Sequence, residues 1–440
     1  MRRRAGNNEA PINIENPYIL LAASIRQMLD TSVSREGHCI YRVPAYLRCK
    51  SKDVYTPSVI SIGTLHHDNG DLKPMEELKR SYLKKFLHRV DVRLEVYIKK
   101  IKDQEEKLRA CYADVIEFSS EDFIQIMMVD AAFVIEILLK LCGHRFNPLG
   151  VDDHDNISSK SWIINYIMPD MLKLENQVPF CILEDLLELQ RIAADANSNI
   201  TYVIPSMMNL AFEFINMTFS STSMVQNVGM LGSSSLKVEH FIAFLRLFYL
   251  PKDSHIINIG GEVKAVNAPS ISELEMAGVK IVWGSSTSLS AIRFVDGILE
   301  IPRLLIHNGS ELLFRNIVAF EQCHGCPSYV NSYLSILDDF VNAPMDVELL
   351  VRKGIFINML SDHNEVSTLI NDLGKGVVIS DFYFGSVREE LDRYLKSPWI
   401  KWKSTLKRHF FNSPWATKQM IPFIIILMLT IIQMVYSTIK

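Results

Sequence analysis

The chain predicts a mainly α-helical fold with a small β-hairpin or sheet element, an α+β architecture, ending in one C-terminal transmembrane helix. Apolar residues recur three or four apart through most of the 440 residues, the period of a helix with one buried face. Asp296-Gly297 stands between the β-rich runs IRFV and ILEI, the strongest short hairpin signal in the sequence. Residues 420–439 carry no charged side chain. At about 1.5 Å per residue they reach roughly 30 Å, the thickness of a bilayer's hydrocarbon core.

Residues 1–35 are polar, then weakly helical, and are expected to be partly disordered. A mainly helical domain over 36–396 follows. Across 39–70, Pro44, Pro57, Gly63 and β-branched runs favour an extended, turn-rich path. One long amphipathic helix is predicted from Pro74 to about Cys111, because Met75, Leu78, Tyr82, Phe86, Val90, Leu94, Ile98 and Ile101 keep the helical period. Lys79, Arg80, Lys84, Lys85, Arg89 and Arg93 give it a basic, solvated outer face. Residues 121–142 are apolar on nearly every side and predict a buried central helix. Asp130, Glu136 and Lys140 exclude that helix from lipid.

A polar loop at 147–160 leads to helices near 161–172, 178–196 and 205–219. The Ser-, Gly- and Asn-rich run at about 220–235 reads as a flexible internal loop, and a helix covers 238–250. The β-rich runs at 279–284 and 291–307 come next. Helices resume near 311–323, 327–341, 346–358, 362–373 and 386–396.

Residues 397–419 read as a basic amphipathic juxtamembrane segment, with Trp399, Trp402, Leu406 and Phe410 spaced by three and four among Lys401, Lys403, Lys407 and Arg408. Pro422 is expected in the first turn of the spanning helix. Trp399, Trp402, Trp415 and Tyr436 are the expected membrane-interface anchors. Basic residues gather before the span and only Lys440 follows it. That asymmetry predicts a tail-anchored protein with its bulk in the cytosol, at the plasma membrane or an endomembrane. No export signal opens the chain.

A formal net charge of −4 gives no nucleic-acid signature. Seven scattered cysteines, an odd number, suit reduced thiols rather than a disulfide framework. Asn-x-Ser/Thr acceptors at Asn156, Asn199, Asn216 and Asn308 point the other way, toward the secretory lumen, if they carry sugar.

The blocks CIYRVPAYLR, YTPSVISIGTLHH, LKPMEELKRSYLKKFL, IMPDMLKLENQVPFCILEDLLEL, SISELEMAGVK and LEIPRLLIHNGSELLFRNIVAFEQCH occur in this order, before FFNSPWATKQ and the apolar tail. In this the chain resembles the plant domain-of-unknown-function 247 family, also described as UPF0481-like, from about Cys39 to the C-terminus. Two departures stand out. Asp130-Ala131-Ala132-Phe133 replaces the family's Asp-Gly-Cys-Phe, and Ile62-Gly63-Thr64 replaces Ile-Gly-Pro. The resemblance implies no established catalysis and a terminal anchor. Some grass members of the family look like pollen-side self-incompatibility determinants that recognise a small secreted protein.

The candidate chemistry is sparse. Glu175-Asn176-Gln177 sits between Leu174 and the apolar run from Val178, so these polar groups are expected to be buried and partnered. They either bond backbone at a break between two helices or, with Asp130, Arg42 and His67, line a polar pocket. His67 beside Asp68 offers an imidazole and a carboxylate for general-base work, or a loop hydrogen bond. Cys323-His324-Gly325-Cys326 lacks the second ligand pair of a zinc site and the setting of a redox motif. The motif is expected to end a helix. Gly374-Lys375-Gly376 is a turn, not a phosphate loop. No catalytic residue, cofactor or metal ligand is assigned.

The expected function is recognition of a protein or peptide partner without catalysis, by a chain held to the lipid bilayer through its C-terminal helix. Oligomeric state stays open. One alternative is a cytosol-facing scaffold engaging partners through the basic helix. Another is a hydrolase or transferase whose site converges from Arg42, His67, Asp130, Glu175 and Gln177.

Overall fold

The computed structural model describes residues 18–30, 37–49, 51–146, 161–197, 203–218, 237–251, 268–284, 288–379, 382–397 and 414–439. After helix α1 (Ile19–Asp30), the described backbone from Gly37 up to Lys73 is irregular, with one short helix, α2 (Ala45–Arg48), and two 3-10 turns. The extended path expected over 39–70 is therefore present. Helices α3 (Pro74–Arg89), α4 (Leu94–Lys102), α5 (Glu105–Ala110) and α6 (Ser120–Phe146) follow.

The single helix expected over 74–111 is thus three helices. The break falls at Val90, which is buried and extended (φ −139°, ψ 156°). Two β-branched residues two apart, Val90 and Val92, weaken helix continuation there. The basic outer face needs correction too. Lys79 is fully buried, and Arg89 reaches inward to Glu136 of α6 at 3.1 Å.

Helix α6 is the buried central element expected from its composition. Phe123, Met127, Ala131, Phe133, Ile135 and Leu138 are fully buried although they point to different sides. Around it come α7 (Ser161–Met171), α8 (Phe180–Ala196), α9 (Met207–Thr218) and α10 (Phe241–Leu247). Helices α3, α4, α8 and α9 pack directly on α6.

The second part opens with α11 (Ile271–Met276), stabilised by a capping box between Ser270 and Glu273. Strands β1 (Lys280–Trp283), β2 (Arg293–Val295) and β3 (Ile298–Ile301) form a sheet in the order β1-β3-β2. The expected hairpin is there: Asp296 and Gly297 both have positive φ, 50° and 77°, as a two-residue type I′ turn requires. Strand β1 lies parallel to β3. Then follow β4 (Leu304–Ile306), α12 (Ser310–His324), α13 (Tyr329–Phe340), α14 (Pro344–Arg352), β5 (Phe356–Asn358), α15 (His363–Leu373), α16 (Gly385–Lys396) and α17 (Pro414–Ile439).

The helix expected over 346–358 ends at Arg352, because Gly354 turns the chain left-handed (φ 69°). Phe356 and Ile357 then pair with β4 as a parallel strand. Helix α10 packs on α12. One buried apolar cluster runs from Cys39 to Leu391 and joins both parts.

The expected transmembrane anchor is overturned. Among the described residues no helix is long and apolar enough to cross a membrane. Helix α17 forms over Pro414–Ile439, and its apolar side chains from Ile425 to Tyr436 are exposed. Pro422 lies well inside this helix rather than in its first turn. The expected single-pass membrane location is corrected with the span. Tyr436 is simply exposed. The side chain of Trp415, and Trp399 and Trp402 with most of the 397–419 segment, lie outside the described residues. So do 1–17 and the loops at 147–160 and 220–235.

The start of α6 is tied to α4 and α5 by Glu105, which accepts from Lys102 (2.8 Å), Ser120 (2.6 Å) and Arg109 (2.9 Å). Lys102 foremost, then Ser120 and Arg109, hold its carboxyl down from 4.5 to about 2. A depressed folded-state pKa means that the unfolded chain binds more protons between these values. The stabilisation is complete above about pH 4.5 and is lost as pH falls toward about 2. Glu105→Gln should therefore melt below the natural chain at neutral pH. The difference between the two melting curves should vanish in acid. A pH-independent difference in thermal melts would contradict this role.

Candidate functional site

Residues 172–179 link α7 to α8 without regular structure, and all are buried. Buried backbone donors and acceptors outside helices and sheets need other partners. Here side chains supply them, and they do so across the chain. Glu175 Oε1 accepts from the Val43 N–H (2.6 Å) and from Arg48, while Oε2 lies 2.9 Å from His66 Nε2. Asn176 Oδ1 accepts from Ile62 N (2.7 Å), and its Nδ2 donates to Ile60 O and Asp170 O, both at 3.0 Å. Gln177 Nε2 donates to Met171 O and Lys173 O, and Oε1 accepts from Phe241 N at 3.1 Å. Each residue of the turn is thus bonded to a separate piece of backbone.

Two further residues complete the clamp. Asp170, near the end of α7, accepts from Ser58 N (2.9 Å), Val59 N (2.7 Å) and Ile60 N (3.0 Å), and Lys173 Nζ lies 2.9 Å away. Asn316, on α12, accepts from Leu174 N at 2.8 Å and donates to Val54 O at 2.9 Å. The irregular strap between Ile40 and Leu65 is therefore fastened to the helices by side-chain acceptors. Of the two alternatives open from the sequence, the turn takes the role of bonding backbone at a helix break.

The strap meets α6 at Gly63. Its N–H donates to Asp130 Oδ2 at 2.8 Å. A Cβ on Gly63 would stand 2.2 Å from Gln177 O and 2.8 Å from Tyr112 Oη, at a φ of +80°. No other residue fits so close a backbone approach. Asp130 Oδ1 accepts from Lys79 Nζ at 2.7 Å, and Lys79 also reaches Glu76 at 2.6 Å. Burial pushes the Asp130 carboxyl up, against the pull of Lys79. Burial alone would lower the Lys79 ammonium, but Asp130 and Glu76 outweigh it and raise it.

The five residues of the expected hydrolase site do not converge. Glu175 and Gln177 are spent on backbone, and the imidazole beside Glu175 belongs to His66, not His67. Arg42 turns outward to Asp114 at 2.9 Å, with both side chains about half exposed. His67 and Asp130 do share a place, as two walls of a cleft of about 610 Å³ between the strap, α3 and α6. His67 lies edge-on to Phe118 at 5.7 Å, and its buried Nδ1 has no hydrogen-bond partner among the described residues. Glu77, Arg80 and Gln125 rim the same cleft with exposed side chains.

Among the described residues, the donor atoms of Cys39, Glu239 and His240 lie within 4.8 Å of one another. His240 Nδ1 accepts from Ala243 N at 3.2 Å, so the ring proton sits on Nε2, which donates to Cys39 O at 2.9 Å. Burial lowers its pKa to about 3, which keeps it neutral. Both ring nitrogens are therefore committed, one as acceptor and one as donor, and the remaining two donors are too few for a structural metal. The Cys323–Cys326 pair sits at the end of α12, where Gly325 turns left-handed. Burial pushes both thiols up to about 11, so neither is a ready thiolate.

The geometry defines a helical scaffold whose N-terminal strap is clamped by a buried polar turn, with a charged cleft where strap and scaffold meet. A family model described as "plant protein of unknown function", DUF247, matches residues 40–429. The chain belongs to this family. Two Arabidopsis thaliana proteins are similar to it over nearly their full lengths. One, named a UPF0481 protein, is 26% identical and aligns over 92% of this chain and 87% of its own. The other, named a putative UPF0481 protein, is 22% identical over 90% and 89%. No solved structure matches.

The Lys79–Asp130 pair gives a sharp stability test. Lys79→Met alone strands a buried carboxylate and should cost about 3–5 kcal/mol. Adding Asp130→Asn should recover most of that loss, because the amide still accepts from Gly63. Denaturant unfolding measures both. Equal losses in the single and double variants would contradict the assignment.

Proposed function

We propose that the protein is a recognition module that binds a basic peptide segment of a partner protein in the cleft between strap, α3 and α6, without catalysis of its own. One contrast supports this reading. The buried polar side chains of Glu175, Asn176 and Gln177 are committed to backbone, whereas the rim of the cleft keeps exposed charge. Asp68, Glu77 and Asp122 are exposed there against Lys73 and Arg80, an acidic excess that favours cationic partners. Phe118 supplies an apolar wall for an anchoring side chain. Recognition of a small secreted protein, which the family resemblance implies, is one form of this function.

Selection of displayed random peptides on the full-length protein tests the proposal. Enriched sequences should carry Lys or Arg beside an apolar anchor. Glu77→Lys together with Asp122→Lys should weaken their binding at least about tenfold, with charge reversal at a rim acting in this range, and should leave the melting temperature nearly unchanged. Absence of enrichment, or equal binding by the variant, would refute it.

A further inference from the structure

Outside the cleft, two thiols lie where the strap begins. Cys39 N and Ile40 N both donate to Cys111 O at 2.8 Å, and Ala113 N donates to Ile40 O at 2.9 Å. Ile40 and Tyr112 are thereby paired as an isolated parallel bridge. Cys39 and Cys111 stand one residue back on each strand of that bridge. Neighbouring strands lie about 4.8 Å apart, inside the roughly 4.4–6.8 Å of Cα separation that a disulfide spans. The Cys111 thiol donates to Lys107 O at 3.3 Å, each thiol shifts the protonation of the other, and both are free.

We propose that Cys39 and Cys111 form a reversible thiol–disulfide site that reacts with small aliphatic disulfides and locks the strap to the end of α5.

The two cysteines are not equivalent. Cys39 is buried, while Cys111 is partly exposed at the C-cap of α5. The neighbouring Cys39 thiol lowers the Cys111 thiol against the effect of its burial, and the Lys107 ammonium lowers it further. Glu239 acts in the opposite sense, and Lys237 acts with Lys107. Cys39 is raised, first by the neighbouring Cys111 thiol and then by burial. Cys111 is therefore the attacking sulfur and Cys39 the resolving one.

The chemistry balances. The Cys111 thiolate attacks one sulfur of the small disulfide, forms a mixed disulfide and expels one small thiolate. Cys39 then gives up its proton and attacks Cys111 Sγ. This forms the Cys39–Cys111 bond and expels the second small thiolate. Two protein thiols are oxidised, one external disulfide is reduced to two thiols, and both protons leave with them. The bond closes a loop holding α2 to α5, so the strap gains a covalent tie four residues before Val43, which Glu175 holds.

The test uses the full-length protein and oxidised glutathione, read by peptide mapping without reductant. A Cys39–Cys111 cross-linked peptide should accumulate, and dithiothreitol should remove it. Cys39→Ser should instead trap glutathione on Cys111, and Cys111→Ser should leave Cys39 unmodified. Cys49, an exposed thiol, serves as the internal reference for simple accessibility. The proposal is overturned if the natural chain gives no cross-linked peptide while Cys49 reacts. It is equally overturned if the natural chain and Cys39→Ser accumulate the same glutathione adduct.

Discussion

An irregular strap cannot lie buried against helices unless its backbone N–H groups find acceptors. In this protein that constraint is met by side chains rather than by a sheet. Glu175 takes Val43, Asn176 takes Ile62, Asp170 takes Val59 and Ile60, and Asp130 takes Gly63. An unsatisfied buried donor costs about 1–3 kcal/mol, so releasing several together would cost a large part of a domain's marginal stability. Carboxylates are suited to this work because one oxygen can accept from two adjacent N–H groups, as Asp170 Oδ2 does from Val59 and Ile60. Their charges are compensated nearby, by Lys173 for Asp170, Arg48 for Glu175 and Lys79 for Asp130.

The rest of the molecule follows from that clamp. Glu175-Asn176-Gln177 can face the strap only because the chain leaves helical geometry between α7 and α8, where Val178-Pro179 cannot continue a helix. Asn316 carries the same logic into the second part, joining α12 to both the turn and the strap. The cleft exists because the strap crosses the N-terminal half of α6 beside α3, leaving His67 and Phe118 on one wall and Asp130 at the base.

Much of this was legible in the sequence, but unevenly. Polar residues isolated in apolar runs, Glu175 to Gln177 and Asp130, announced their own burial. Asp170 in the run IMPDM carries the same signal, though a lone carboxylate after a proline gives it less weight. Periodicity could not show that Lys79 turns inward, since its position on a charged stripe looks like any solvated lysine until its partner Asp130 is placed. The choice between His66 and His67 depends on a single-residue register in a loop, which no period specifies. Asp296-Gly297 spoke for its hairpin locally, while the break at Val90 and the strand after Gly354 needed tertiary partners. A charge-free apolar tail predicts a span from composition alone, and among the described residues no helix is long and apolar enough to make one.

Native-state hydrogen exchange of the strap tests the clamp most directly. The account predicts that the amides of Val43, Val59, Ile60, Ile62 and Gly63 exchange as slowly as those of central α6, with the same denaturant dependence, because they are released only by global unfolding. Rapid exchange of these amides while α6 stays protected would show that the strap opens on its own. That result would contradict the claim that the buried polar turn holds the structure together.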